Sequence, residues 1–225
     1  MSEQPLVAWS FSRLDAFETC PRKYWHQSVE KDIKEEKNEQ QIHGEEAHLA
    51  FKMYFKIGQA LPLHLRQYEQ YLKPIAAAPG DKICEQQIAL NSSFQQVEWF
   101  AKDAYLRVIS DLTQHNGKQA VIWDWKFGRP HEKFDQLKLT AAVTFLLGPE
   151  IERITMAYFW AKTKTVSTHV MTRDQTPTFW AEIQPRVQKY QDAHATKDFP
   201  PKPNWLCKGY CPVTSCQYWE RGRKR

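Results

Sequence analysis

Three charged residues in a mainly apolar part of the sequence have the types and spacing of a metal-assisted hydrolytic site. Asp124 and Lys126 stand two apart in VIWDWKF, and Asp111 lies near the end of the preceding apolar segment. Residues two apart on a strand share a face, and a hairpin at Asn116-Gly117 would bring Asp111 beside them. Carboxylate oxygens are ligands that Mg²⁺ prefers, and a nearby ammonium can favour hydroxide or stabilise charge growing on a phosphate.

The same pattern has a simpler interpretation, because Asp-x-Lys is also a common surface ion pair that contributes little to stability. The surrounding residues favour the first interpretation. Charged residues are seldom found in a strand as apolar as VIWDW unless they have a function there.

A second candidate is His48, which follows Gly44 by one helical turn in GEEAH. A lone histidine on a helix is more often a core or surface residue than a ligand. A glycine inside a helix costs about 1 kcal/mol relative to alanine, and at this spacing it clears the face that carries His48. That is what close approach of a metal or substrate would require. Gln136 and Thr140 share a helix face by the same spacing, which alone indicates nothing.

Three cysteines, Cys207, Cys211 and Cys216, lie within ten positions in WLCKGYCPVTSC. Lys208-Gly209 and Pro212 prevent a regular element there, so ligation explains them better than three core positions. Cys20, between a helix end and Pro21, is the obvious fourth ligand, whereas the apolar strand pattern around Cys84 indicates a core residue. A four-thiolate site would suit Zn²⁺ or an iron–sulfur cluster.

The elements that position these residues follow from the spacing of apolar residues. A helix ends at Cys20-Pro21, and a second begins with PRKYWHQS. A charged connection over 30–39 precedes a long helix from Gln40 to about Gly58, whose expected buried positions are Ile42, Leu49, Ala50, Met53, Tyr54 and Ile57. A loop is expected from Pro74 to Asp81.

The second half of the chain predicts strands and two helices. An antiparallel meander is expected over ICEQQIAL, FQQVEWFAK, AYLRVISDL and QAVIWDWKF. A helix over about 134–147, a strand pair over ERITMAYFWAK and TVSTHVMT, and a final helix follow, the last with Trp180, Ile183, Val187 and Tyr190 on one face and a kink at Pro185. This order predicts an α/β fold with a mixed sheet flanked by helices.

Composition limits the classes of protein that remain. The 225 residues are 42% hydrophobic, enough for one domain with a real core, and no apolar run approaches the length of a membrane span. With no signal-like start, a soluble, cytoplasmic protein is expected, in the host cytoplasm if phage-encoded. The sequence contains no GxxxxGK[ST] or GxGxxG motif, which leaves an ATP-driven or dinucleotide enzyme without support. A net charge of +5 permits a polyanionic partner.

In chain order the motifs are FSRLDAFETCPRKYW, GEEAH, Asp111, Asp124-x-Lys126, Gln136 and the three-cysteine cluster. This order resembles the PD-(D/E)XK nucleases of the RecB-like branch, in particular the iron–sulfur subgroup with the AddB nuclease domain, CRISPR-adaptation exonucleases and phage exonucleases. The resemblance spans almost the entire chain. It implies a restriction-endonuclease-like fold as a single nuclease domain over 1–225, in which 1–30 and 199–220 together form an iron–sulfur subregion joined at a four-cysteine cluster.

The resemblance also implies roles for individual residues. A divalent cation, Mg²⁺ or Mn²⁺, would be held by His48, Asp111, Asp124 and the backbone carbonyl of Trp125. Lys126 would be the catalytic lysine and Glu85 would assist. Gln136 matches the first position of a QxxxY motif that lies beside the active site and contacts DNA. A [4Fe–4S] cluster would be held by Cys20, Cys207, Cys211 and Cys216.

Three features depart from the family pattern. Thr140 stands where tyrosine is usual, and Ser110 stands where a glycine commonly precedes the aspartate of the acidic strand. The cysteine spacing, three residues then four, differs from the commoner two then five.

The expected function is that of a DNA exonuclease in recombination, repair or phage DNA processing, acting on single-stranded DNA or free ends, with a helicase or recombination protein as a possible partner and no membrane association. Two other classes compete with it. A non-catalytic DNA-binding accessory protein would use the basic tail Arg221, Arg223, Lys224 and Arg225, but the intact Asp111, Asp124 and Lys126 argue against it. A zinc-containing interaction protein would explain the cysteines and leave the Asp-x-Lys strand unexplained.

Overall fold

A mixed sheet forms the centre of the protein in a computed structural model that describes residues 6–34 and 36–220. Within these residues six strands lie in the order β2-β1-β3-β4-β5-β6. Their bounds are Asp81–Leu90 (β1), Gln96–Val97 (β2), Leu106–Asn116 (β3), Gln119–Lys126 (β4), Arg153–Trp160 (β5) and Thr165–Thr172 (β6). β4 and β5 pair in parallel and the other neighbours are antiparallel. The basic tail at 221–225 lies outside the described residues.

Helices cover both faces of this sheet. In the described residues the α-helices are Phe11–Thr19 (α1), Pro21–Tyr24 (α2), Glu39–Ile57 (α3), Glu69–Ala77 (α4), Asp135–Leu147 (α5) and Thr176–Thr196 (α6). A π-helical turn, Trp25–Glu30, continues α2, and short 3₁₀ helices occupy Leu63–Tyr68, Arg173–Gln175 and Trp205–Cys207. Side chains from α1, α5 and α6 form a first core cluster on one face, and side chains from α3, Leu63–Tyr68 and α4 form a second on the other. The predicted mixed α/β architecture is confirmed.

Local sequence explains where the site-bearing elements begin and end. Asn38 caps α3 in a reciprocal capping box with Gln41, and the helix ends at Gly58, whose φ of 69° favours glycine. The β3–β4 hairpin closes between Asn116 and Gln119, with Gly117 at a φ of 58°. These signals fix the helix that carries His48 and the strands that carry the aspartates.

Three predictions about the elements were wrong. The buried face of α3 consists of Gly44, Ala47 and Phe51, whereas Ile42, Leu49 and Ile57 of the predicted stripe are exposed. The predicted loop at 74–81 is helix in its first half, 74–77, because burial of Leu72 and Ile75 in α4 outweighs the turn signal at Pro74, and only 78–80 form a bend before β1. The segment FQQVEWFAK forms only the two-residue strand β2.

The two ends of the described chain meet beside the end of α1. Asn204 Nδ2 donates to the carbonyl of Thr19 at 2.9 Å, and Lys202 Nζ donates to the carbonyl of Glu18 at 2.6 Å. Arg186 of α6 also binds both carboxylate oxygens of Glu18, at 2.8 and 2.7 Å. In the part of the chain that the structure describes, no helix is both long and apolar enough to cross a membrane.

Candidate active site

Three carboxylates occupy one row across β1, β3 and β4. The β1–β3 register pairs Cys84 with Leu112 and Gln86 with Ser110, which places Glu85 opposite Asp111. The β3–β4 register, in which Leu112 pairs with Trp123, places Asp124 at the next position along, also opposite Asp111. The predicted hairpin therefore brings the two aspartates together, and β1 adds a third acid.

In both β1 and β3, side chains of the same alternation pass from one face of the sheet to the other at this row. In β1, Ile88 belongs to the first core cluster, whereas Cys84, four residues away, packs against the second. In β3, Val108 belongs to the first cluster and Leu112 to the second. A regular strand would keep both members of each pair on one face. The irregular backbone includes Glu85, whose φ of 50° lies in the left-handed region that is unusual for this residue type.

Asp124, Lys126 and Gln136 form a compact group joined by two hydrogen bonds and one ion pair. Gln136 Nε2 donates to Asp124 Oδ1 at 2.8 Å, and Lys126 Nζ donates to Gln136 Oε1 at 2.9 Å. Lys126 Nζ also lies 2.8 Å from Asp124 Oδ2 as an ion pair, without the alignment of a hydrogen bond. The buried Asp124 Oδ2 thus keeps lone-pair capacity, a property that suits a cation ligand. Gln136 holds both charged groups from the first turn of α5.

His48 and Glu85 complete the arrangement around Asp111. One potential ligand atom from each of His48, Glu85 and Asp111 lies within 4.8 Å of the other two. His48 Nδ1 is 3.4 Å from Asp111 Oδ2, and the same oxygen accepts the backbone N–H of Trp125 at 2.7 Å. The N–H of Trp125 is therefore tied to the site. The predicted role of its carbonyl as a ligand stays a prediction.

The crowding of charges shifts the pKa values of these groups. Burial, and then the charge of Asp111, raise the pKa of Asp124 to about 6, against a partly opposing effect of Lys126. Burial and Asp111 likewise raise the pKa of Glu85. For His48, burial lowers the pKa, but the hydrogen bond and charge of Asp111 raise it more, so the net shift is upward. A divalent cation would offset the repulsion among these carboxylates.

Gly44 and Thr140 are two helix residues near the site whose surroundings differ from those of the acids. The space beside Gly44 is filled by Phe127, whose ring carbons lie 3.7–3.8 Å from where a Cβ would stand. A methyl group at Gly44 would therefore make only an ordinary contact with Phe127, and the role of Gly44 in clearing space for a metal or substrate stays a prediction. Thr140 is buried and donates its hydroxyl to the carbonyl of Gln136 at 3.1 Å.

A cavity of about 370 Å³ opens beside Gln136 and Thr140, between the start of α1 and β3. Its polar lining includes Ser12, Arg13 and Arg107, and none of its described lining residues is acidic. Arg107 is held by the carbonyl of Trp99 at 2.9 Å and lies over the ring of that tryptophan. No local sequence pattern indicates this cavity, because its lining residues are far apart in the chain.

The four candidate cysteine ligands line one small pocket, together with Arg22, Lys23 and Lys202. Cys20 Sγ accepts the backbone N–H of Lys202 at 3.5 Å. Among the described residues, however, no three sulfur atoms lie within 4.8 Å of one another. The cysteines are thus neighbours but do not form a closed ligand set. Cys84 does not line this pocket and packs against the second core cluster.

Comparison with known proteins gives one family match. The family model of the PD-(D/E)XK nuclease superfamily matches residues 8–217. A solved structure from Eubacterium rectale named "Putative exonuclease" has a TM-score of 0.51 and 11% identity, covering 90% of this chain and 86% of that chain. The crystal structure of SSO0001 has a TM-score of 0.48 and 15% identity, covering 98% and 90%. No curated protein sequence matches significantly.

Proposed function

Because the chain belongs to the PD-(D/E)XK nuclease superfamily, whose members use divalent metals, we propose that it is a metal-dependent DNA exonuclease of the RecB-like branch. The observation that carries the proposal is the row of Glu85, Asp111 and Asp124, with Lys126 and Gln136 bonded to its end. DNA recombination, repair and phage DNA processing are the processes in which such an activity would serve. The expected helicase or recombination partner stays a prediction.

The residues divide into those that hold a cation and those that act on the phosphate. His48, Asp111 and Asp124 would hold Mg²⁺ or Mn²⁺, with Glu85 as a further ligand and the carbonyl of Trp125 as the predicted backbone ligand. The cation would supply Lewis-acid activation of a phosphodiester and its attacking water. The donor set fits, since it is rich in carboxylate oxygens and includes the buried, incompletely bonded Asp124 Oδ2.

Lys126 and Gln136 act through their hydrogen bonds. Lys126 keeps its ammonium beside Asp124 while Gln136 fixes both groups. An ammonium held there can stabilise the attacking hydroxide or the charge that grows on the phosphate oxygens. Gln136 is a positioning residue in this account. A non-catalytic DNA-binding protein would have no use for a buried aspartate and a lysine that one glutamine holds together, which favours the enzyme over that alternative.

A nucleic acid is the substrate that the neighbouring cavity fits best. Arg13 and Arg107 supply positive charge next to Gln136, and Trp99 supplies an aromatic surface. Arginine suits phosphate recognition, and aromatic rings stack with unpaired bases. We place the scissile strand along this cavity, with its phosphate at the carboxylate row.

For the cysteines we propose a [4Fe–4S] cluster that joins the two ends of the chain, with a four-cysteine zinc site as the competing possibility. Four thiols around one pocket with nearby cationic side chains support a metal group. Sulfurs around a single zinc ion stand less than about 4 Å apart, given Zn–S bonds of about 2.3 Å. Among the described residues no three sulfurs lie within 4.8 Å of one another, so a single Zn²⁺ ion would require them to move closer together.

The exonuclease proposal is tested with linear and covalently closed circular DNA of the same sequence, in single- and double-stranded form. We expect loss of the linear DNA from its ends in Mg²⁺ or Mn²⁺, no loss in EDTA, and intact circles. Cleavage of circles at the same rate would replace the exonuclease with an endonuclease. No cleavage of any DNA in either metal would contradict the proposed function.

A further inference from the structure

A second group of possible metal ligands lies on the outer side of α3, apart from the carboxylate row. His43 and Glu46 project from α3, and His64 from the 3₁₀ helix Leu63–Tyr68. One possible ligand atom from each of the three lies within 4.8 Å of the other two. His64 Nε2 is 3.0 Å from Glu46 Oε1, and the rings of His43 and His64 are 6.1 Å apart between centroids.

Helix geometry explains how these three residues come together. His43 and Glu46 are three positions apart, so they project from neighbouring points on one face of α3. The chain then leaves α3 at Gly58 and returns as Leu63–Tyr68, whose buried Leu65 and Tyr68 pack in the second core cluster. That packing leaves His64 on the exposed side, against Glu46. The position of His64 is therefore fixed by the core beneath it.

The ligand atoms of this outer group differ in type from those of the carboxylate row, and they favour a different cation. The row offers one imidazole beside several carboxylates, which suits Mg²⁺ and Mn²⁺. The outer group offers two imidazoles and one carboxylate, which suit a borderline cation such as Zn²⁺. Glu46 and His64 are exposed, so a cation can reach the group from solvent and complete its coordination with water.

We propose that His43, Glu46 and His64 form a second metal site that binds Zn²⁺ or a similar first-row cation and clamps Leu63–Tyr68 to α3. The clamp acts on the helix that carries His48. Phe127, which directly follows Lys126, has its ring 5.7 Å from that of His43 and 5.8 Å from that of His48. The same ring lies against Gly44. The site does not depend on nuclease activity.

Calorimetric titration of the full chain with Zn²⁺, in excess Mg²⁺, tests the site. We compare wild type with His43→Ala and His64→Ala, and use His131→Ala as a control, since His131 is exposed and belongs to neither group. Wild type and the control should bind one Zn²⁺ per chain more than the two variants, or bind it at least about tenfold more tightly. Equal stoichiometry and affinity in all four proteins would overturn the proposal.

The clamp is tested by thermal unfolding. A cation that binds only the folded state raises the melting temperature, so Zn²⁺ should raise that of wild type more than that of His64→Ala. An equal rise in both would exclude the clamp. Without Zn²⁺, His64→Ala should retain wild-type cleavage in Mg²⁺, so failure of the zinc site and failure of the proposed nuclease function give different results.

Discussion

Glu85 and Asp111 face each other across β1 and β3 at a position where the two strands do not pair, although they pair on both sides. The backbone of Glu85 is left-handed there. Carboxylates directly opposite on a sheet repel each other, and a left-handed conformation adds a cost for a residue with a Cβ. Strained or repulsive arrangements of this kind are retained mainly at functional sites. A bound divalent cation would offset the repulsion between the two carboxylates.

Replacing Glu85 should therefore separate stability from activity. In EDTA, Glu85→Asn should unfold at the same temperature or higher, with a gain of up to about 1 kcal/mol, because asparagine tolerates the left-handed region and carries no charge. Cleavage should fall and require more Mg²⁺. The exposed Glu98 provides a control, and Glu98→Asn should change neither property. Full activity of Glu85→Asn at low Mg²⁺ would remove Glu85 from the ligand set.

Gln136→Ala should lower kcat about 10- to 100-fold, the usual effect of losing a residue that orients a metal ligand. Its side chain bonds both Asp124 and Lys126, so the variant frees both groups at once. Single-turnover cleavage measures the loss. Gln188→Ala on α6, where the exposed glutamine bonds only Asp192 among the contacts described, is the matched control. Equal rates for the two variants would show that the bridge has no catalytic use.

The raised pKa of Asp124 predicts how stability depends on pH in EDTA. Since its pKa is about 6 in the folded protein and 3.8 ordinarily, the folded state binds more protons than the unfolded state between these values. The free energy of unfolding contributed by Asp124 therefore falls as the pH rises through this range. Melting temperatures of wild type should decline between about pH 4 and 6 relative to those of Asp124→Asn. Parallel curves for the two proteins would contradict the shift.

The affinity for the metal should rise with pH, whereas the contribution of Asp124 to stability falls, because a proton competes with the cation for Asp124. Mg²⁺ or Mn²⁺ should bind more weakly as the pH falls through about 6. Titrating the metal dependence of cleavage on both sides of this pH measures the effect. An apparent metal affinity that stays constant across it would show that Asp124 is ionised throughout.

The cysteine proposal predicts a coloured protein. Chain purified without oxygen should be brown and contain about four irons, and Cys20→Ser should lose the iron while Cys84→Ser keeps it. By the loop-entropy estimate, a link from Cys20 to Cys207, which encloses most of the chain, contributes about 5 kcal/mol, so Cys20→Ser should also melt much earlier. A colourless protein with one Zn²⁺ per chain at these cysteines would establish the zinc alternative.

Patterns that are local in sequence were predicted well. The apolar alternation of β3 and β4, the turn at Asn116-Gly117 and the Asp-x-Lys spacing are set by neighbouring residues, and they place Asp111, Asp124 and Lys126 correctly beside one another. Gln136 also lies where its motif predicts. The mixed sheet and its flanking helices follow from the same periodicity.

What the sequence could not reveal depends on tertiary contacts. In the sequence, Glu85 is one polar residue within a predicted strand. No neighbouring residue indicates that its backbone is left-handed or that the side chains of the strand change face there. Apolar Ile42 and Leu49 resemble core residues, but the face of α3 that meets the sheet is set by Ala47 and Phe51. The convergence of His64 on α3 likewise requires the fold, because His64 lies beyond the end of that helix.

The most direct test of the central claim is digestion of end-labelled DNA by wild type, Asp124→Asn and Lys126→Ala in Mg²⁺, Mn²⁺ and EDTA, with circular dichroism to confirm folding. Both substitutions alter the ion pair between the half-buried Lys126 and the buried Asp124 at the carboxylate row. We predict metal-dependent cleavage by wild type and a loss of at least about a hundredfold in each folded variant. Wild-type cleavage by either folded variant, or equal cleavage by wild type in EDTA, would contradict the account.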